Sequence, residues 1–234
     1  MNKKMLISNI ILITLVMIGD IIYIGYNTQG INLVSVKSIT SGLFVLLGAI
    51  NILNLKKIPQ ANLRFSAILL TGLTFAFLGD VMIEVNFILG ALLFAVGHIF
   101  FFVSFISLQE FKWKDLIIAG AIFVPITLMI IFAPMFNFES ILMEIVVILY
   151  ALIISIMVSK AISNMIRTRS TLNVIIAIGT ILFMFSDLML LFKNFGTMDR
   201  TIGLILCLAT YYPAECILAY SINHAQTNTI EKNN

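Results

Sequence analysis

Charge is scarce in this chain: Asp, Glu, Lys and Arg make up only 11% of its 234 residues, against about 25% in an ordinary soluble domain. Hydrophobic residues make up 61%, and the mean hydropathy is +1.10. That balance excludes a soluble globular domain and leaves a polytopic membrane protein. Histidine occurs twice and cysteine twice. No His-x-x-x-His or comparable ligand spacing is present, which argues against an obligatory catalytic metal. Cys207 and Cys216 lie in the last apolar stretch at a spacing that does not bridge within one helix, and both read as buried thiols. The net charge of +3 comes from short basic loops and does not point to nucleic acid. The opening "MNKK" looks like the start of a leader, but no small-residue cleavage site follows, so the first apolar run is expected to be a retained helix.

What is present is oil with punctuation. At about 20 residues per crossing and short connections, the chain has room for roughly seven to nine helices. Hydropathy divides it into eight segments, near 5–26, 34–54, 62–84, 87–108, 114–134, 140–162, 171–192 and 201–224. The expected fold is an all-α, eight-helix transmembrane bundle forming one domain over 1–224, followed by a loose polar tail over 225–234. Pro125 in the fifth segment and Pro213 in the eighth mark positions for a kink.

Basic residues set the expected orientation. Lys3, Lys4, Lys56, Lys57, Arg64, Lys112, Lys114, Arg167 and Arg169 fall on alternate connections, and the other side carries only Lys37, Lys193 and Arg200. The positive-inside rule makes the first side cytoplasmic, with both termini inside. Asp80, Asp20, Lys37 and Asp187 then sit near the outer ends of their helices. Glu144 begins the sixth, and His98 and Glu215 lie at mid-depth. Ionisable groups at membrane depth are costly unless they face protein or water, so this gathering predicts a polar pocket opening outward. The cytoplasmic half is expected to hold no comparable set.

Asp80 and Asp187 invite two readings. Facing each other across a cleft, one would hold a proton as an acid while the other stays charged and activates water. Alternatively they form an interhelical hydrogen-bond pair that only fixes packing. Glu84, four residues after Asp80, is expected on the same helix face one turn outward, at the mouth of the pocket. His98, after Gly97 in "FAVGHIFFF", either polarises a substrate oxygen or only bonds across a helix interface. Lys37 either snorkels to the headgroups or turns inward as counter-charge to the acids or to a lipid phosphate. Tyr211 and Glu215 share a face of the last helix. "FAFLGDVM" and "LFMFSDLM" echo each other around Asp80 and Asp187, which allows a parallel duplication of a four-helix unit.

These motifs, in this order, resemble the YhhN-like, or lysoplasmalogenase, family of membrane proteins. The resemblance rests on Gly79-Asp80, then Gly90, Phe94 and His98, then Ser186-Asp187, then Tyr211-Tyr212 with Glu215, and it covers nearly the whole chain. Two positions depart from the family pattern: Ser38 follows Lys37 where proline is usual, and Glu215 stands where glutamine is usual. The resemblance implies hydrolysis of the vinyl-ether bond of a lysophospholipid within the membrane, giving a fatty aldehyde and a glycerophospho-alcohol with no metal or organic cofactor. It implies Asp80 and Asp187 as the catalytic pair. Lys37, Glu84, His98, Ser186, Tyr211, Tyr212, Glu215 and Asp20 would form the substrate-binding set. Composition alone leaves two other classes open: a transporter of a small polar solute or lipid, which needs a polar route through the cytoplasmic half, and a structural membrane protein whose aspartates only bind helices together.

Overall fold

In a lipid phase every backbone N–H and C=O must be satisfied within the chain, so apolar runs of this length form helices. In a computed structural model, described over residues 3–57 and 61–226, they form eight. These are α1 (Lys3–Asn27), α2 (Val34–Leu55), α3 (Leu63–Met82), α4 (Phe87–Ile106), α5 (Trp113–Phe132), α6 (Ile141–Arg167), α7 (Thr171–Phe195) and α8 (Arg200–Ser221), with a 3-10 turn at Ile222–His224. Each is long and apolar enough to span a membrane, and the chain is a multi-pass membrane protein. The side chains of Asn62, Asn86, Ser140, Ser170 and Asp199 accept from the first turns of α3, α4, α6, α7 and α8, satisfying donors that no helix can satisfy for itself. Pro125 and Pro213 lie inside unbroken α5 and α8.

Helix pairing repeats with a shift of four. Contacts between α1 and α2, α2 and α3, and α3 and α4 recur between α5 and α6, α6 and α7, and α7 and α8, and α4 packs on α6 as α8 packs on α2. Asp80 on α3 and Asp187 on α7 thus occupy corresponding helices. The tightest approach next to Asp80 is between α3 and α4. A Cβ on Gly90 would lie 2.5 Å from the Ile83 Cα, and one on Gly79 would lie 2.9 Å from the Phe94 ring. Only glycine at these two positions lets α4 fold back directly onto the end of α3.

Three expectations change here. First, α3 ends at Met82, so Glu84 lies in the turn before α4 and is not one helical turn above Asp80. Second, α6 runs to Arg167 rather than stopping near 162. Third, its added turn belongs to a buried ionic cluster at the end of the bundle that carries the basic loops, where no such set was expected. Asp115 accepts from Ser163 at 2.5 Å and from Arg167, and lies 3.3 Å from the Lys160 ammonium, which is fully buried. Lys160 and Arg167 also donate to the Glu110 carbonyl, each at 2.8 Å. At the same end Ala225 is buried and its carbonyl accepts from the Asn62 N–H at 2.9 Å, so the first residues of the expected tail are packed. The rest of that tail, 227–234, lies outside the described residues.

Candidate functional site

Lys37, in the first turn of α2, points inward and is 4% exposed. Its ammonium lies 3.1 Å from Asp80 Oδ1 and donates to Glu84 Oε1 at 2.6 Å. Ser41 follows one turn later on the same face, and its hydroxyl donates to Asp80 Oδ2. Tyr212 of α8 donates to that same oxygen at 3.0 Å. Both oxygens of Asp80 are therefore engaged, one by a cation and one by two hydroxyls, which fixes the side chain in place. Glu84 closes the cluster at its rim, taking bonds from Asn32 at 2.8 Å and from Tyr23 at 3.1 Å. Partial burial pushes the Glu84 carboxyl up, but the Lys37 charge and bond and the Asn32 and Tyr23 bonds outweigh it and hold the group below its ordinary value.

Asp187 is served differently. Tyr150 of α6 donates to its Oδ2 at 2.7 Å, and His98 Nε2 lies 2.8 Å from the Tyr150 oxygen and 3.3 Å from the same carboxylate oxygen. The tyrosine's single proton is committed to Asp187, so a neutral His98 donates from Nε2. The His98 ring is fully buried and packs edge-on against Phe183 at 4.8 Å. Under the four-helix shift the two aspartates have equivalent neighbours. Asp80 is bonded from α2 and α8, and Asp187 from α6 and α4. The architecture repeats, but the chemistry does not: an ammonium and hydroxyls hold one aspartate, a phenol and an imidazole the other.

Lys37, Asp80, Glu84, Ser186, Asp187 and Tyr211 line one polar cavity of about 280 Å³ at the end of the bundle opposite the basic loops. The remaining candidates lie behind its wall. Tyr212 and His98 bond the wall groups just described. Asp20 is 5% exposed, its Oδ1 has no hydrogen-bond partner among the described residues, and Asp80 is its electrostatic neighbour. Glu215 is fully buried with neither oxygen bonded among the described residues, within electrostatic reach of Asp80 and Asp187. Asp187 also borders a smaller apolar cleft between α4, α6 and α7, walled by Phe87, Ala91, Val147 and Leu191. It therefore stands where polar-lined and oily space meet. Cys207 and Cys216 are buried free thiols, and Cys207 Sγ lies 3.4 Å from the Ser186 hydroxyl.

Sequence reasoning missed Tyr150, Ser41, Tyr23 and Asn32. Ser41 had a findable signal, since it lies four residues after Lys37 on one helix face. Tyr150 had a weaker one, as the one hydroxyl-bearing ring in the aliphatic run "IVVILYALII". Neither a curated protein nor a solved structure matches the chain. The sequence profile of the YhhN family does match, over residues 16–222, which takes in every group of the cavity just described, and the chain belongs to that family.

Proposed function

We propose that this protein is a lysoplasmalogenase-like hydrolase that cleaves the vinyl-ether bond of a single-chain phospholipid by aspartate acid–base chemistry. The family is associated in general with lysoplasmalogenase-like activity. The observation that carries the reading is the position of Asp187, which borders both the polar cavity and the apolar cleft while Tyr150 and His98 hold it from behind.

A vinyl ether is electron-rich at the carbon β to oxygen. In this reading Asp187 gives its proton to that carbon and leaves an oxocarbenium ion. Water then adds to the cationic carbon and returns a proton to Asp187, and the resulting hemiacetal collapses to aldehyde and alcohol. Asp80, with both oxygens already engaged, is a poor proton donor but a fixed negative charge near the developing cation. This division of labour parallels the paired carboxylates of glycoside hydrolysis. Transport of a polar solute fits less well. Further along the helices toward the basic end, the rings of Phe94, Phe101, Phe183 and Tyr211 pack edge to face and offer a polar solute no charged group.

The test is aldehyde release from an alkenyl lysophospholipid by detergent-purified protein, beside D187N and D80N variants that elute as folded species. Asp to Asn keeps size and most hydrogen bonding, so folding survives while proton transfer at Asp187 does not. Release by the native protein with D187N at background supports the reading. No release with either choline or ethanolamine headgroups across a pH range overturns it.

A further inference from the structure

The polar cavity carries two cationic side chains that none of its acids engages by ion pair or hydrogen bond among the described residues. Lys37 is committed to Asp80 and Glu84. Lys193 and Arg200 line the same cavity, and neither makes a salt bridge or hydrogen bond with the described residues. The side-chain amide of Asn194, also on the lining, is equally unengaged. Lys193 is in the last turn of α7 and half-buried, with its stem laid across α8 at Gly203. A Cβ on Gly203 would lie 2.8 Å from the Lys193 Cβ, so this close approach depends on glycine. Arg200 opens α8, is exposed, and is an electrostatic neighbour of Lys193. A half-buried ammonium with no bonded partner is costly, and a guanidinium in electrostatic reach adds a planar fork of donors suited to phosphate oxygens.

The far side of the cavity is apolar. The cleft between α4, α6 and α7 shares Phe87, Phe94, Leu190 and Asp187 with the cavity, so the two spaces adjoin at Asp187. Positions 187 and 193 on α7 are separated by a helical rise of about 9 Å. A three-carbon glycerol unit, together with the reach of the side chains, bridges that separation.

We propose that Lys193 and Arg200, with Asn194 beside them, form the subsite for the phosphate of a single-chain lipid, whose chain leaves through the α4–α6–α7 cleft past Asp187. Lys37, the residue the sequence offered for this task, is occupied by Asp80 and Glu84 and serves the carboxylates instead. The inference rests on the hydrolase reading for what happens at Asp187, but not for the binding itself.

Binding is therefore measured with a probe that is not cleaved. Three probes suffice: a saturated 1-O-alkyl lysophosphocholine, the 1-O-alkylglycerol of equal chain length without phosphate, and inorganic phosphate. Each is titrated against the detergent-purified protein and against K193Q, R200Q, K193Q/R200Q and the charge-keeping K193R/R200K. Loss of one charge-assisted contact is expected to weaken the lysophosphocholine about tenfold, and the double Gln variant more than either single one. K193R/R200K keeps the charge but not the fork and is expected to bind more tightly than K193Q/R200Q and less tightly than the native protein, which separates charge from folding. The alkylglycerol is expected to bind all variants alike. Equal lysophosphocholine affinity in the native protein and K193Q/R200Q overturns the subsite. Inorganic phosphate binding as tightly as the lipid overturns the lipid source and leaves a free-anion site. Charge-dependent binding without aldehyde release keeps the subsite and removes only the hydrolase reading.

Discussion

Tyr150 and Asp187, on neighbouring helices α6 and α7, are joined by a 2.7 Å hydrogen bond in which the phenol donates to the carboxylate. The bond engages one oxygen of Asp187, a residue that lines the cavity. His98 stands behind the phenol, so the three groups form a chain from the dry interior to the polar cavity. A hydrogen bond between neutral groups, as with Asp187 in its protonated, reacting form, contributes about 0.5–1.5 kcal/mol, which corresponds to about 2–10-fold in rate if it orients the reacting carboxyl. Tyr150→Phe removes the donor and keeps the ring. Aldehyde release by Y150F is expected to fall in kcat by about that factor with KM little changed. A raised KM at native kcat would instead make Tyr150 a wall for the lipid chain.

Lys37 pairs with two carboxylates at once, and its loss leaves both without their ion-pair partner. Asp80 is 3% exposed, and the cost of breaking a buried pair from one side is about 3–5 kcal/mol. Lys37→Met is therefore expected to lower thermal stability in detergent sharply. The K37M/D80N/E84Q variant, which removes the stranded charges as well, is expected to regain a large part of the loss. A triple variant no more stable than K37M would mean that packing of the lysine stem, not charge, holds α2 against α3.

The eight helices were legible because a long apolar run with few charges has one solution in a bilayer. Lys37, Asp80, Glu84 and Asp187 could be read into one pocket because charged groups stand out in such a chain, Ser186 and Tyr211 entered through the family resemblance, and Asp20, His98 and Glu215, read into the same pocket, lie behind its wall. What stayed hidden follows from how the other groups look locally. Tyr150 is amphipathic and passes as interfacial bulk. Ser41 bonds equally well to its own helix, where its hydroxyl also reaches the Lys37 carbonyl at 3.0 Å. Asp115 sits one turn inside α5 next to a basic loop and reads as a rim charge, although Lys160 reaches it from a fully buried position 45 residues on. The end of α3 was misjudged because its apolar pattern runs on past Met82. The chain turns there because α4 must return against α3, and Gly90 against Ile83 sets that turn.

Glu84 makes the site sensitive to acid in a calculable direction. Its folded-state value is held below the ordinary 4.5 by Lys37, Asn32 and Tyr23, against the upward pull of burial. A depressed carboxyl contributes stability that is fully present above its unfolded value and is lost as pH falls through the folded one, because in that window the unfolded chain binds more protons. Melting temperature in detergent is therefore expected to drop as pH is lowered from about 6 through the ordinary carboxylate range near 4.3. Glu84→Gln starts lower at neutral pH, having lost its charge-assisted bond to Lys37, but has no proton to take up. Asp80 is present in both proteins, so the difference between their curves reports Glu84 alone. The two curves are expected to converge on the acid side, and curves that stay parallel would show that the Lys37–Glu84 bond contributes nothing to the fold.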